Sequence, residues 1–207
     1  MNNIKFIYFD VGGVLLLDFS NTNKWSKMKS DLGITKDNEK MFDLIWLKYR
    51  DKICIDCDID TIVHELRKTI NLSIPNEYSM LEDFVKRFDK NPYMWAAIEI
   101  VKQKFKIGLL TNMYPRMLEL IQSSKLLPNI SWNTIIDSSK VGYQKPDNKI
   151  FELAEKLSGV KPEEILFVEN TSEHTEAAKQ KGWNVFLYDD QNPKISSEKL
   201  LEILKLK

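Results

Sequence analysis

Four short polar stations along the chain carry residue types that can do chemistry together. They are Asp10, Thr111-Asn112, Lys145 and Glu169-Asn170. Asp10 ends the apolar run Phe6-Ile7-Tyr8-Phe9 and stands just before Gly12-Gly13. A carboxylate there is costly unless it is paired or bound to a metal. A nucleophilic or metal-binding carboxylate, a hydroxyl donor, a fixed cation and a second acidic ligand suit a phosphoryl group. Each station also has an ordinary reading: a turn Asp before glycine, a Thr at a helix start, a solvated Lys before Pro146, a Glu-Asn turn. The order and the company of all four favour the chemical reading.

Such residues converge only if the elements before them are parallel strands. Candidate strands are Phe6 to Phe9, Lys106 to Leu110, Trp132 to Ile136, Ile165 to Val168 and Val185 to Tyr188. Between them lie helical patterns. One runs from Asn91-Pro92 to Lys104, one opens at Pro115, one starts at Asp147, one stops at Gly182, and the last takes Ser196 as its N-cap. Strands alternating with helices predict an α/β fold, a Rossmann-like parallel sheet with helices on both faces. Ligands of such a sheet lie beyond the carboxyl ends of its strands, where the four stations fall.

The stretch from Asn21 to Arg87 differs. Its apolar residues recur at helical spacing, as in Met41, Leu44, Ile45 and Tyr49, then Ile62, Val63, Leu66 and Ile70, and no glycine interrupts it between Gly33 and Gly108. It reads as an inserted unit of about four helices. Asp58 or Asp60 is the candidate cap of the third and Asn76 of the fourth. The stripe Phe42, Trp46, Tyr49 has the spacing of a core face. The resulting division places residues 1–17 and 91–207 in an α/β core and 18–90 in a helical cap.

Thirty basic against thirty acidic residues leave no net charge, which argues against a general nucleic-acid or membrane-surface partner. Met1 to Lys5 leads into the first strand without a basic or long apolar segment, so a cytoplasmic location is expected. Cys54 and Cys57 form a C-x-x-C spacing, but His64 and His174 are the only histidines and acidic Asp56, Asp58 and Asp60 surround the thiols. Two free thiols in a helical segment are the expectation.

The motifs, taken in order, resemble the haloacid dehalogenase-like hydrolase superfamily, in the branch with a helical cap after the first strand. FDVGGVLL around Asp10, LLTN ending at Asn112, SKVGYQKPDNKIF from Ser139 and ILFVENTSEHTEAAKQKGW from Ile165 carry the resemblance, which covers essentially the whole chain. It implies that Asp10 is the nucleophile and that Thr111 and the backbone N–H of Asn112 hold phosphate oxygens. Lys145 would neutralise both partners, and Asp10, the Gly12 carbonyl, Glu169 and Asn170 would hold Mg²⁺. The substrate would be a small phosphorylated metabolite, selected by the cap around Asp18, Phe19 and the Trp46 to Arg50 region. Two departures stand out. The family's phosphatases usually carry a general acid/base Asp two residues after the nucleophile, where this chain has Gly12; such a loss typically costs about 10²–10⁴-fold in rate. Members similar to sugar-1-phosphate phosphatases share that glycine, and aryl, acyl or anomeric phosphates would suffer least. The usual Asp pair of the fourth motif is Glu169-Asn170 here, which removes a negative charge from the metal site. His174 stands where the family often has Asn; a half-exposed helical residue is the plainer expectation. The resemblance also leaves open a metal-independent 2-haloacid dehalogenase and a non-catalytic binder of phosphometabolites or proteins.

Overall fold

A computed structural model of the chain describes residues 3–50 and 52–206. Met1 and Asn2, where the reading of the N-terminus begins, lie outside them.

Strand β1 (Phe6–Phe9) occupies the middle of a five-stranded sheet. With β4 (Lys106–Thr111), β5 (Thr134–Asp137), β6 (Ile165–Glu169) and β7 (Asn184–Leu187), it forms the order β5-β4-β1-β6-β7. Every pairing is parallel. Phe6 faces Lys106 on one side and Ile165 on the other, so Asp10, Thr111-Asn112 and Glu169-Asn170 emerge at one edge. The continuous apolar runs follow from burial on both faces. Alternation along β1 sends Phe6 and Tyr8 into one core and Ile7 and Phe9 into the other. On the first face Tyr8 stacks on Trp183 at 5.7 Å and donates its hydroxyl to the Ala154 carbonyl at 2.8 Å.

Two strands begin or end away from the sequence expectation. Asn133 precedes β5 and brackets Ile107, donating its N–H to the Ile107 carbonyl and accepting the Ile107 N–H on its side chain, while Trp132 turns toward the Phe9 ring. Tyr188 follows the end of β7, its N–H still donating to the Glu169 carbonyl at 2.8 Å and its hydroxyl lying in a buried cluster with Asn91, Ser197 and the Pro193 carbonyl.

After β1 the chain passes through β2 (Leu16–Leu17) and four helices, then returns through β3 (Asp89–Lys90), antiparallel to β2. The helices are α1 (Lys24–Asp31), α2 (Glu39–Tyr49), α3 (Asp60–Ile70) and α4 (Met80–Lys86). Their capping differs from expectation. Ile59, not an acidic side chain, stands at the N-cap of α3. Asp60 instead reaches across to α4, accepting the N–H groups of Met80 at 2.6 Å and Leu81 at 3.2 Å. Ser79, not Asn76, is the N-cap of α4, accepting from the Glu82 N–H. A neighbouring carboxylate satisfies the first turn and lets the helix start later. Cys54 and Cys57 are free thiols as expected, but they sit in the turns between α2 and α3, not in a helix. The aromatic stripe also divides. Phe42 is core, Tyr49 bonds Glu65, and Trp46 is half-buried beside the site described below.

The second half of the fold adds α5 (Pro92–Val101), α6 (Met117–Ser123), the short α7 (Ser138–Val141), α8 (Asn148–Ser158), α9 (Ser172–Gln180) and α10 (Pro193–Ile203). Asn91 caps α5 through Met94, and Asp147 caps α8 through Lys149, as their positions predict. Ser196 lies inside α10, which Asn192-Pro193 begin; its hydroxyl accepts the Asp189 N–H instead. Among the described residues no helix is long and apolar enough to cross a membrane.

Candidate active site

The end of β1 is held in place by its neighbour: the Asp10 N–H donates to the Val168 carbonyl at 3.0 Å. This delivers the Asp10 carboxylate, nearly buried, to the carboxyl edge of the sheet. Lys145 meets it there from the loop before α8. Its side chain is fully buried, with Nζ 3.0 Å from Asp10 Oδ1 and 2.5 Å from Glu169 Oε2. A lysine in such a place requires both carboxylates, since an unpaired buried charge is prohibitive. The Phe167 ring, 5.2 Å from the ammonium, completes its surroundings.

Asn112 fixes that lysine from below. Its side-chain amide donates to the Lys145 carbonyl at 2.9 Å and accepts the Lys145 N–H at 2.8 Å. The pair reproduces a stretch of strand pairing with a side chain in place of a backbone. Sequence reasoning assigned Asn112 only a backbone role, since nothing local links positions 112 and 145. His174 was also undervalued: its Nδ1 lies 3.1 Å from Glu169 Oε2, bridged by the first turns of α9 folding back over the end of β6. The Thr171 N–H donates to the other Glu169 oxygen at 3.0 Å.

These contacts set the charges. Burial, reinforced by the nearby Glu169 charge, pushes the Asp10 carboxyl up to about 6 against the opposing pull of Lys145. Burial would raise Glu169 too, but the Lys145 charge and the His174 hydrogen bond overcome it and hold that carboxyl low. Lys145 is desolvated, yet two facing carboxylates keep it raised and charged. Lys145 thus lies closer to Glu169 than to Asp10, at 2.5 against 3.0 Å.

Asp10 opens onto a cavity of about 390 Å³, lined on the sheet side by Gly12, Thr111, Asn112, Asn170 and Thr171. Two buried atoms beside it lack a hydrogen-bond partner among the described residues: Thr111 Oγ1 and Asp10 Oδ1, the latter ion-paired to Lys145 without hydrogen-bond geometry. The Thr111 hydroxyl can donate to an oxygen atom of a ligand, whereas the Asp10 oxygen, an acceptor, is met by the Lys145 charge. On the far side, Asp18 Oδ2 lies 2.5 Å from where a Gly12 β-carbon would be. Asp18 Oδ1 accepts the Ser20 N–H, and burial, with Asp190 adding to it, raises the Asp18 carboxyl. Gly13 has φ +72°, and its missing side chain leaves room for the Asn170 amide, whose nitrogen donates to Asp190 at 3.0 Å.

The donor set fits a hard cation in part. Asp10, Gly12 and Asn170 all border the cavity with oxygen atoms available as a class. Glu169 does not border it; both its oxygens are engaged by Lys145, His174 and the Thr171 N–H. Among the described residues no three His, Cys, Asp or Glu side chains cluster as a metal centre. Cys54 also borders the cavity, its thiol pushed up to about 12 by burial, which disfavours the thiolate.

Residues 4–182 match the family model described as haloacid dehalogenase-like hydrolase. The chain belongs to that family. The chain is 34% identical over 99 residues to the Rhythmically expressed gene 2 protein of Drosophila melanogaster, covering 45% of its own length and 37% of that relative's. It thus spans little more than a third of that curated relative. Among solved structures, a predicted HAD-like family hydrolase of Porphyromonas gingivalis superposes with a TM-score of 0.75 at 22% identity, over 99% of each chain. A HAD family enzyme of Bacteroides thetaiotaomicron, solved with magnesium and inorganic phosphate, reaches 0.70 at 16% identity, over 90% of this chain and 95% of that one. The L-2-haloacid dehalogenase of Xanthobacter autotrophicus reaches 0.60 at 20%, over 88% and 76%. At these identities the structures establish a shared fold.

Proposed function

We propose that this hydrolase is a Mg²⁺-dependent phosphomonoesterase acting through an aspartyl-phosphate on Asp10. The observation that carries the reading is the buried Asp10 carboxylate, 3.0 Å from the Lys145 ammonium, which faces one cavity together with Thr111 and Asn112. Asp10 attacks phosphorus, the bond to the leaving oxygen breaks, and water later attacks the aspartyl-phosphate to release inorganic phosphate. The Thr111 hydroxyl and the Asn112 N–H hold phosphoryl oxygens, while Lys145 balances the charge of Asp10 and of the developing transition state. Asn112 and Glu169 act by positioning that lysine. Mg²⁺, held by Asp10, the Gly12 carbonyl and Asn170 with the Glu169 charge behind them, would neutralise the phosphoryl group and align it. The relative solved with magnesium and phosphate supports this choice of ion.

Residues 1–17 and 91–207 are the catalytic unit in this reading, and 18–90 a cap that selects a small phosphorylated metabolite. Hydrolysis of an aryl phosphate with and without Mg²⁺, beside the Asp10→Asn variant, is the test. Metal-dependent turnover that the variant loses is expected. Metal-independent release of halide from a 2-haloacid would replace the reading with a dehalogenase, and phosphate binding without turnover would replace it with a non-catalytic binder, to which Gly12 and Asn170 would then belong.

A further inference from the structure

The cavity has two unlike ends. Around Asp10 it is polar; elsewhere six aromatic residues, Phe19, Trp25, Trp46, Phe84, Phe88 and Tyr114, join the aliphatic Leu16, Met113, Met117 and Ile121, with Asp18 and Ser20 among them. These rings come from the inserted segment and from the loop after β4, and they form one connected cluster. Phe19 lies 4.8 Å from Phe84, 5.9 Å from Phe88 and 6.0 Å from Trp25; Trp25 lies 4.7 Å from Trp46; Phe84 lies 5.8 Å from Tyr114. Most of the contacts are tilted or edge-on, the geometry in which aromatic pairs attract. No lysine or arginine lines the cavity among the described residues. Its charged lining groups are both carboxylates, Asp10 and Asp18, and Lys145 is sealed behind Asp10 with its ammonium committed.

From this lining we infer that the leaving group of the substrate is uncharged and aromatic, so that this hydrolase cleaves the monophosphate of a phenol. The inference rests on the phosphomonoesterase reading and specifies what that site accepts. Three physical points carry it. A second phosphate or a carboxylate on the leaving group would enter a space that has no cation and already holds Asp18, so it would lose its water without compensation. A sugar would place several hydroxyls against ring faces that offer few partners, and each unpaired hydroxyl costs affinity. An organic cation would be drawn both to the ring faces and to Asp18, but an amino alcohol would have to leave as an alkoxide without the side-chain acid that position 12 lacks. Gly12 agrees independently, since a phenolate leaves without the side-chain acid that this position lacks.

The test separates recognition from turnover by using phosphonates, which cannot be hydrolysed. Calorimetry on the full chain in Mg²⁺ would compare phenylphosphonate, 2-carboxyethylphosphonate and 2-aminoethylphosphonate. Phenylphosphonate is expected to bind at least about tenfold more tightly than either of the others. Trp46→Ala should reduce that preference. Phe88→Lys, at a partly exposed wall position and less demanding of the core, should shift it toward the carboxylate. Equal or tighter binding of the carboxylate or amine analogue by the wild type overturns the inference, as does a preference untouched by both variants. Phenyl phosphate is assayed in parallel for turnover. If it is not hydrolysed while phenylphosphonate keeps its preference, the phosphatase reading fails and only the recognition of the aryl group stands.

Discussion

Asp18 fills the space that Gly12 leaves open: one of its carboxylate oxygens lies 2.5 Å from the β-carbon position of residue 12. The backbone of Gly12 does not demand glycine, since the left-handed conformation belongs to Gly13. What forbids a side chain is the neighbour. Gly12→Asp is therefore expected to place a carboxylate against Asp18 and close to Asp10, destabilising the fold by about 1–3 kcal/mol. Adding Asp18→Ala should restore most of that loss, as read by urea denaturation of the single and double variants.

Lys145 holds two buried carboxylates apart from solvent. Lys145→Met keeps much of its volume but leaves Asp10 and Glu169 facing each other, so a loss of about 3–5 kcal/mol is expected. The same variant should bind inorganic phosphate far more weakly than wild type. Thermal denaturation and phosphate calorimetry check the two parts separately, and a variant of wild-type stability would show that the lysine is not what balances the pair.

Asn112→Ala removes both bonds to the Lys145 backbone without touching the lysine side chain. The cation should then drift from its place, and a displacement of ångström size typically costs about 10²-fold in rate. The expected result is a fall in kcat that exceeds any fall in thermal stability. Equal kcat would mean that the loop is held by other contacts.

Arg116 ties the sheet side of the molecule to the insertion, bonding Asp58 through two nitrogens and Asp60 through one. Partial burial would raise Asp58, but the Arg116 bonds prevail and hold its carboxyl below the ordinary range. A depressed folded-state pKa gives stability that is complete above the unfolded pKa of about 4 and is lost as pH falls through the lower folded value. Arg116→Met should abolish that component. Melting temperatures of wild type and variant should converge below about pH 4 and separate above it.

Asn170 donates to Asp190, whose other oxygen accepts from Asn21. Asn170→Asp sets two carboxylates together and should lower the melting temperature without metal. It also adds an anionic ligand beside Asp10, so the rise in melting temperature on adding Mg²⁺ should be larger than for wild type. No difference between the two metal-induced rises would place the ion elsewhere.

The sheet was legible because its strands are apolar runs buried on both faces, and four polar stations at their ends pointed to one edge. Four helices between the first and second sheet strands were legible from spacing. Hidden from view were bonds whose partners lie far apart in the chain: Asp60 on the first turn of α4, the Asn112 amide on Lys145, Asp18 beside Gly12. Each involves a polar residue with a plausible local use, an Asp before a helix or an Asn in a turn, and tertiary structure assigned it a distant one. Strand ends shifted as well. Tyr188 carries β propensity and its N–H still bonds β6, but β7 ends one residue before it, where its hydroxyl meets buried partners.

The short pairing of Leu16-Leu17 with Lys90-Asp89 brings together the two points where the chain leaves and rejoins the sheet. To the strands, everything between those points is a loop whose ends already touch. The entropy of closing a loop grows only with the logarithm of its length. Helices can accordingly be lengthened, traded or remodelled within that insertion while Asp10 and Lys145 keep their partners. On the proposed reading, selectivity and reactivity would be separately heritable in this architecture: the aromatic wall could drift toward new molecules without the bond-breaking apparatus having to be rebuilt.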